Sequence, residues 1–486
     1  MKNLHIQRFI FNLLIIIPII ALLGSCQFDE PYATGPDKRL TFSNDTIVFD
    51  TVFTTIGTAT RHLMVYNPHP RPLLISTIRL AGGTNSPFRL NINGQATLHA
   101  TDVRIAANDS MFIFIRATID PSDQTGPMIE TDSIVFITNN NHQDVNLVAW
   151  GEDAHFYNNA IIVSDYVFLN DKPHVIYGFL AVDSLFTLTI HPGTRLYFHR
   201  NSFLLVYRDA TLEVLGTADQ PVIFQGNRTE PYYRDLPGQW GHPIIGACLY
   251  FFPGSVNNVI NHAIIKNGIV GIKCDTLGNS QNPTLRIFNT EIRNMSGIGL
   301  LARGTWIEGG NVVIANSGAH AMAILYGGEY DFRHLTIGNF WNRSPRRTPS
   351  LLVNNYYYHE EAVIARPLTR AFFGNSVIYG NLQEELQLDR SELAQFSFEF
   401  SYCLIRSDTL TSHSIGFNNC IFTSDSIFRD PDVHQLEPDS LSLLIDAGSR
   451  VITEQSLFDL RSDIRGNSRM LDAAPDIGAI EALPEE

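Results

Sequence analysis

The chain has 486 residues, 44% of them hydrophobic and 17% charged, which excludes a disordered protein and exceeds one ordinary compact domain unless part of it is a repeat array. A net charge of −15 argues against nucleic acid, whose phosphates are held mainly by Lys and Arg. Thirty-four Gly and 24 Pro point to many turns and few long helices.

The first element is a leader. Lys2, His5 and Arg8 precede the apolar run Phe9 to Leu23, which contains Pro18 and is short for a membrane span. The run ends in "LLGSC", which resembles a bacterial lipobox. That resemblance implies a signal peptide over 1–25, a lipid on Cys26 and a protein anchored to the membrane without spanning it. Gln27, Asp29 and Glu30 resemble export signals of outer-membrane and surface lipoproteins, which implies an outer-membrane, cell-surface location.

A linker is expected over 26–39. Short alternating runs follow, among them "DTIVFDTVF", "PLLISTIRL", "SMFIFIRATI" and "VNLVAWGED". Period-two alternation with Asn, Asp, Gly and Pro between runs predicts an antiparallel β-sandwich of about seven strands over 40–152. Its pattern resembles Hydin-type immunoglobulin-like domains, which implies a spacer or a stabilising cap without catalytic residues.

From 153 to 430 strands and turns alternate with no useful helical period. The run Phe186 to Gly226, with "HPGT", "VLGT" and "QPVIF", resembles the first coils of right-handed parallel β-helix proteins of the pectate-lyase type. The repeat is countable. Ile265-x-Asn267, Ile292-x-Asn294, Ile314-x-Asn316 and Ile337-x-Asn339 stand at intervals of 27, 22 and 23 residues (265 to 292 to 314 to 337). Such a period is that of a solenoid. Alternation places each Ile inside and each Asn at a bend, where it tolerates the left-handed backbone and can bond from coil to coil. The fold class is therefore all-β: an immunoglobulin-like sandwich, then a right-handed parallel β-helix, then a C-terminal cap over 431–486. That last segment, with "IDAGS" and "DIGAIE", resembles the ends of many bacterial β-helix proteins.

With Ile inward, the solvent-facing columns read His262, Asn289, Asn311, His334; Ile264, Glu291, Val313, Thr336; and Lys266, Arg293, Ala315, Gly338. One carboxylate is too few for glycoside hydrolysis, which ordinarily needs two. Lys266 and Arg293, flanked by His262 and His334, supply part of what a polysaccharide lyase needs, a base and a cation for a uronate carboxylate. A solvated charged face is the other reading. After Ile337 the next repeat comes 41 residues later, at Ile378 (337 to 378), so extra chain leaves the stack. It brings Trp341, Arg343, Arg346, Arg347, Tyr356, Tyr357 and Tyr358 together, residues that either contact sugar rings or a protein partner, or pack the loop down. Cys403 and Cys420 occupy similar frames and would stack, as buried thiols or as a disulfide. No cofactor and no metal ligand set is expected. The preferred expectation is a surface lipoprotein acting in binding, adhesion or glycan handling; the alternatives are a lyase-like enzyme on acidic glycans and a structural component of an envelope assembly.

Overall fold

The computed structural model describes residues 31–53, 60–119, 128–229, 232–276, 281–411, 413–431, 435–471 and 473–482. The leader and Cys26 lie outside the described residues. Among the described residues no helix is long and apolar enough to cross a membrane. The chain divides into two units, with the boundary at 152/153.

The first unit is a β-sandwich. One sheet orders the strands Thr41–Phe42, Arg61–Tyr66, Ser110–Ala117, Phe88–Ile92 and Gln95–Ala96; the other orders Thr46–Phe53, Asn141–Glu152, Met128–Thr138, Leu73–Leu80 and His99–Ile105. Neighbours are antiparallel except Thr46–Phe53 against Asn141–Glu152, which are parallel. Leu63, Ile113, Ile75, Phe136 and Leu147, from both sheets, share one core, because alternate side chains of each strand face inward. Among the described residues ten strands replace the expected seven or so. Two of the extra ones are two residues long, and His99–Ile105 carries too few apolar residues to announce itself. The expected linker is also shorter than 26–39, since Ala33 is buried in this core.

The second unit is a parallel β-helix. One ladder runs His155, His174, Leu196, Phe224, Ile265, Ile292, Ile314, Ile337, Ile378, Ile405, each paired in parallel with the next. From Leu196 onward these side chains are fully buried. A second side of the coil carries Ile260, Ile287, Gly309, Phe332, Phe373, Phe400 and Phe417. Its phenylalanines stack, with Phe373 and Phe400 centroids 4.8 Å apart. A Cβ on Gly309 would lie 2.4 Å from the Phe332 ring, so the glycine makes room for the first of them. A third side carries Leu204, Leu249, Ile272, Leu300, Met322, Leu351 and Leu386.

The expected asparagine column is present in part: Asn267, Asn294 and Asn316 have left-handed backbone and Asn339 does not, and Asn316 and Asn339 bond backbone groups. Asn294 Nδ2 donates to Asn267 Oδ1 at 2.6 Å, and both residues have left-handed backbone, φ 59° and 66°. A second, unexpected column bonds Asn311 to Asn289 at 3.0 Å and Asn289 to Asn261 at 3.1 Å. His262, Asn289, Asn311 and His334 all have φ near +50°, so this set marks a bend between two sides of the coil and not a flat outer face. Cys248, Cys274, Cys403 and Cys420 are free and buried.

The 41-residue interval after Ile337 contains less excursion than expected. Leu351–Asn354 is a strand of the stack, paired with Met322–Ile324 on one side and Leu386–Asp389 on the other. What leaves the coil is the stretch 340–350 and an antiparallel hairpin, Tyr356–His359 with Ala362–Ala365.

Candidate functional site

The expected solvent-facing columns divide sharply along the stack. At the coils of Val313 and Thr336 they are covered, because the C-terminal segment lies lengthwise along this flank. Val313, Ala315, Val377, Tyr379 and Leu404 share an apolar cluster with Phe428, Leu436, Leu444, Ile464, Ile477 and Ile480. His334, expected to face solvent beside a ligand, is instead fully buried. Its Nδ1 meets the Gly478 carbonyl at 3.0 Å, and its Nε2 meets Thr453 Oγ1 at 2.9 Å and Asn375 Nδ2 at 3.1 Å. It anchors the C-terminal segment and cannot reach a ligand.

Upstream of that cover, one coil earlier and two coils earlier, the flank is open. Lys266 and Arg293 are register partners on adjacent coils, as are Ile264 and Glu291. Two cations therefore stand one above the other at the interstrand spacing of roughly 4.8 Å. Arg293 Nε is buried without a hydrogen-bond acceptor, its Glu291 Oε2 neighbour lying 3.7 Å away. Lys266 is half-buried, and burial together with the Arg293 charge lowers its pKa. His262, at the adjacent bend, is half-buried and its pKa is lowered by desolvation.

A loop over 232–241 completes the strip. The buried Trp240 indole donates to the Lys266 carbonyl at 2.8 Å. Asn267 and Asn294 donate their amides to the carbonyls of Arg234 and Asp235, at 2.6 and 2.8 Å. The repeat asparagines thus do two things: they stack, and they hold this loop beside the cations. From the far side Arg343 donates to the same Asp235 carbonyl at 2.8 Å. Arg234, Lys266, Arg293 and Arg343 are gathered against two carboxylates, Asp235 and Glu291, an excess of positive charge on an acidic chain. Arg234 and Asp235 were not foreseen: they belong to a loop that only the backbone carbonyls offered to Asn267 and Asn294 bring here. Arg343 was expected among the residues of the inserted loop, but not beside the cations, where its guanidinium reaches the Asp235 carbonyl.

The residues expected in the inserted loop separate into different roles. Trp341 is buried and bonds Ser344 Oγ at 2.9 Å. Arg346 is buried too, its guanidinium bonded to Glu385 at 2.5 and 2.8 Å. Neither faces a ligand, and the reason is the same for both: they tie the stretch 340–350 back to the coil. Arg347 is exposed. Tyr356 bonds Asp389 at 2.9 Å, which pushes its hydroxyl up to about 12. Tyr357 packs edge-on to Tyr326 at 4.8 Å, and Tyr358 is two-thirds exposed. This hairpin follows the strand Leu351–Asn354, on a different side of the coil from Lys266 and Arg293.

The strip can bind carboxylates through Lys and Arg donors. Among the described residues, the one group of three His, Cys, Asp or Glu side chains with ligand atoms within 4.8 Å of one another is His155, Asp171 and His174, which includes no residue of the strip.

No protein-family profile and no curated protein matches the chain. Among solved structures it is similar to the catalytic unit of a thermostable GH87 α-1,3-glucanase from Streptomyces thermodiastaticus, at 10% identity over 74% of this chain and 75% of that one, TM-score 0.30. It is similar to pectate lyase Pel9A at 11% identity over 68% and 88%, TM-score 0.29. A family 123 glycoside hydrolase from Clostridium perfringens matches at 10% identity over 23% of this chain, TM-score 0.18, and the chain spans 25% of that enzyme's length. Similarities at these TM-scores carry no argument, and the β-helix rests on the parallel ladders themselves.

Proposed function

We propose that this chain is a lipid-anchored protein of the outer membrane whose β-helix binds an acidic glycan along the strip of Lys266 and Arg293 without cleaving it. The observation that supports it is the register of those two cations on adjacent coils, with the Arg293 side chain one-third exposed beside Glu291. The part of the guanidinium that reaches solvent offers charged N–H donors, which a uronate carboxylate meets better than a neutral sugar. Arg234 and Arg343 add positive charge at the 232–241 loop that the asparagines hold beside the two cations. On this reading the N-terminal sandwich is an immunoglobulin-like spacer, Cys26 carries the lipid and the strip faces the cell exterior.

One observation favours a second reading. Burial and Arg293 lower the pKa of Lys266, which makes its amine a better base for abstracting the proton beside a uronate carboxylate, the first step of a lyase. A single experiment separates the two. The purified chain is titrated with polygalacturonate and with alginate, binding is followed by calorimetry, and ultraviolet absorbance reports unsaturated products. The expected result is saturable binding, weakened at least tenfold in Lys266→Ala and in Arg293→Ala, with no product. Sustained product that disappears in Lys266→Ala establishes the lyase, and absence of binding to either polymer removes both readings.

A further inference from the structure

The apolar ladder of the β-helix begins with two residues that are not apolar. His155 and His174 are its first two rungs, in register with each other and with Leu196. His174 is buried against Phe168, their rings stacked at 4.1 Å, whereas His155 keeps about two-fifths of its side chain exposed. From the turn that joins the two coils, Asp171 places Oδ2 3.0 Å from His155 Nε2. One ring nitrogen of each histidine and one carboxylate oxygen of Asp171 all lie within 4.8 Å of one another.

The tautomer of His174 is set by its surroundings. Nε2 faces the Leu169 carbonyl at 3.0 Å and must donate to it. Nδ1 is therefore the lone-pair nitrogen, and it is met by the Tyr157 hydroxyl at 3.1 Å. An imidazole that gives its N–H to a backbone carbonyl and turns its other lone pair outward is how proteins orient a histidine toward a metal. Here the Tyr157 hydroxyl holds that lone pair, and a metal would take its place. An ion pair accounts for His155 and Asp171, and the Leu169 carbonyl and Tyr157 hydroxyl satisfy His174; what they do not require is that all three ligand-bearing side chains converge on a rung that every later coil fills with Leu, Phe or Ile.

The geometry points to a divalent transition-metal site made by His155, Asp171 and His174 at the first two rungs of the β-helix, a donor set suited to zinc. Two imidazoles and a carboxylate are zinc ligands, with bonds of about 2.0–2.2 Å that bring ligand atoms to roughly 3.4 Å from one another. Closing that separation would need rotation of the two exposed side chains, His155 and Asp171, and a fourth position on their side would be open to water. Bound metal would fasten the turn carrying Asp171 to both strands and close the end of the core, where no earlier coil supplies a neighbour. This site is separate from the proposed glycan strip and does not depend on it.

The test uses the purified chain, stripped with chelator and titrated with Co2+ as a spectroscopic probe and then Zn2+. The expected result is one Co2+ per chain with visible d–d absorption, displaced by Zn2+, and a melting temperature raised by Zn2+. His155→Ala and Asp171→Asn alter exposed side chains and should fold; both lose the absorption and the Zn2+-dependent rise. His359→Ala, in the distant tyrosine hairpin, keeps both. Absence of stoichiometric Co2+ absorption overturns the proposal, as does absorption that survives in His155→Ala and Asp171→Asn or that depends on His359.

Discussion

His334 donates from Nδ1 to the carbonyl of Gly478, 144 residues later, at 3.0 Å. Its Nε2 then accepts from Thr453 and Asn375, so the buried ring is satisfied only while neutral. Burial and the nearby charges of Arg469 and Arg333 hold its pKa well below the usual value of 6.5. Below about 6.5 the unfolded chain takes up a proton that the folded chain refuses, and stability falls at about 1.4 kcal/mol per pH unit until the folded pKa is reached. Glu481, in the same segment, works in the opposite sense, because burial pushes its carboxyl up to about 7. Urea unfolding at pH 8, 6.5 and 5 therefore should compare wild type with His334→Asn. The variant is expected to be less stable at pH 8 and to lose less between 6.5 and 5; an identical pH slope removes His334 from the account.

The ladder was legible because each Ile-x-Asn repeat reports its own coil, and local periodicity suffices for that. Two of the outward columns, Ile264 to Thr336 and Lys266 to Gly338, were read in the right register, while the third, His262 to His334, is a bend. What the local pattern hides is that the C-terminal segment, arriving more than a hundred residues later, lies over half of them. A signal was present all the same: down the stack one column runs Lys266, Arg293, Ala315, Gly338, and the next Ile264, Glu291, Val313, Thr336. Long charged side chains give way to small or apolar ones where the cover begins, as burial requires. Arg346 carried no such signal. Its neighbour Arg347 is exposed, and only Glu385, 39 residues on, tells the two apart.

That pair of arginines gives a direct comparison. Glu385 accepts from Arg346, from Ser350 Oγ at 2.6 Å and from the backbone N–H of Leu382 at 2.7 Å, so its charge is fully engaged. Removing one partner of a buried ion pair strands the other, at a cost of roughly 3–5 kcal/mol. Arg346→Ala should lower the stability of the β-helix by that amount in urea unfolding, while Arg347→Ala stays within about 0.5 kcal/mol of wild type. Equal effects would place Arg346 at the surface.

Asn294 separates backbone from side chain. Its amide bonds Asn267 and the Asp235 carbonyl, and its φ is 59°. Asn294→Gly keeps the left-handed backbone and loses two hydrogen bonds, roughly 0.5–1.5 kcal/mol each. Asn294→Ala loses the same bonds and keeps a Cβ in that conformation without asparagine's tolerance of it, about 1–2 kcal/mol worse than glycine. Alanine should therefore be the worse replacement, and both should loosen the 232–241 loop, read as faster amide exchange at Trp240. Alanine equal to glycine would mean that the bend does not depend on the left-handed conformation.

Gly338 tests whether the cover is held by shape. A Cβ there would lie 2.6 Å from Leu436 Cδ1 and 2.7 Å from Cδ2, and Leu436 is buried in the cluster that fastens the C-terminal segment. Gly338→Val should cost about 1–3 kcal/mol through overpacking. Leu436→Ala should cost about 2–5 kcal/mol through the cavity it leaves. The two changes meet in the same space, the valine filling what the leucine vacates, so the double variant should be less destabilised than the sum of the singles, a coupling of roughly 0.5–3 kcal/mol. Limited proteolysis reports the same event: each single variant should be cut early within 435–471 while the ladder from Leu196 to Ile405 stays intact, and the double should resist longer. Strict additivity would show that Leu436 does not rest on Gly338, and the account of a fitted cover would fail at its most specific contact.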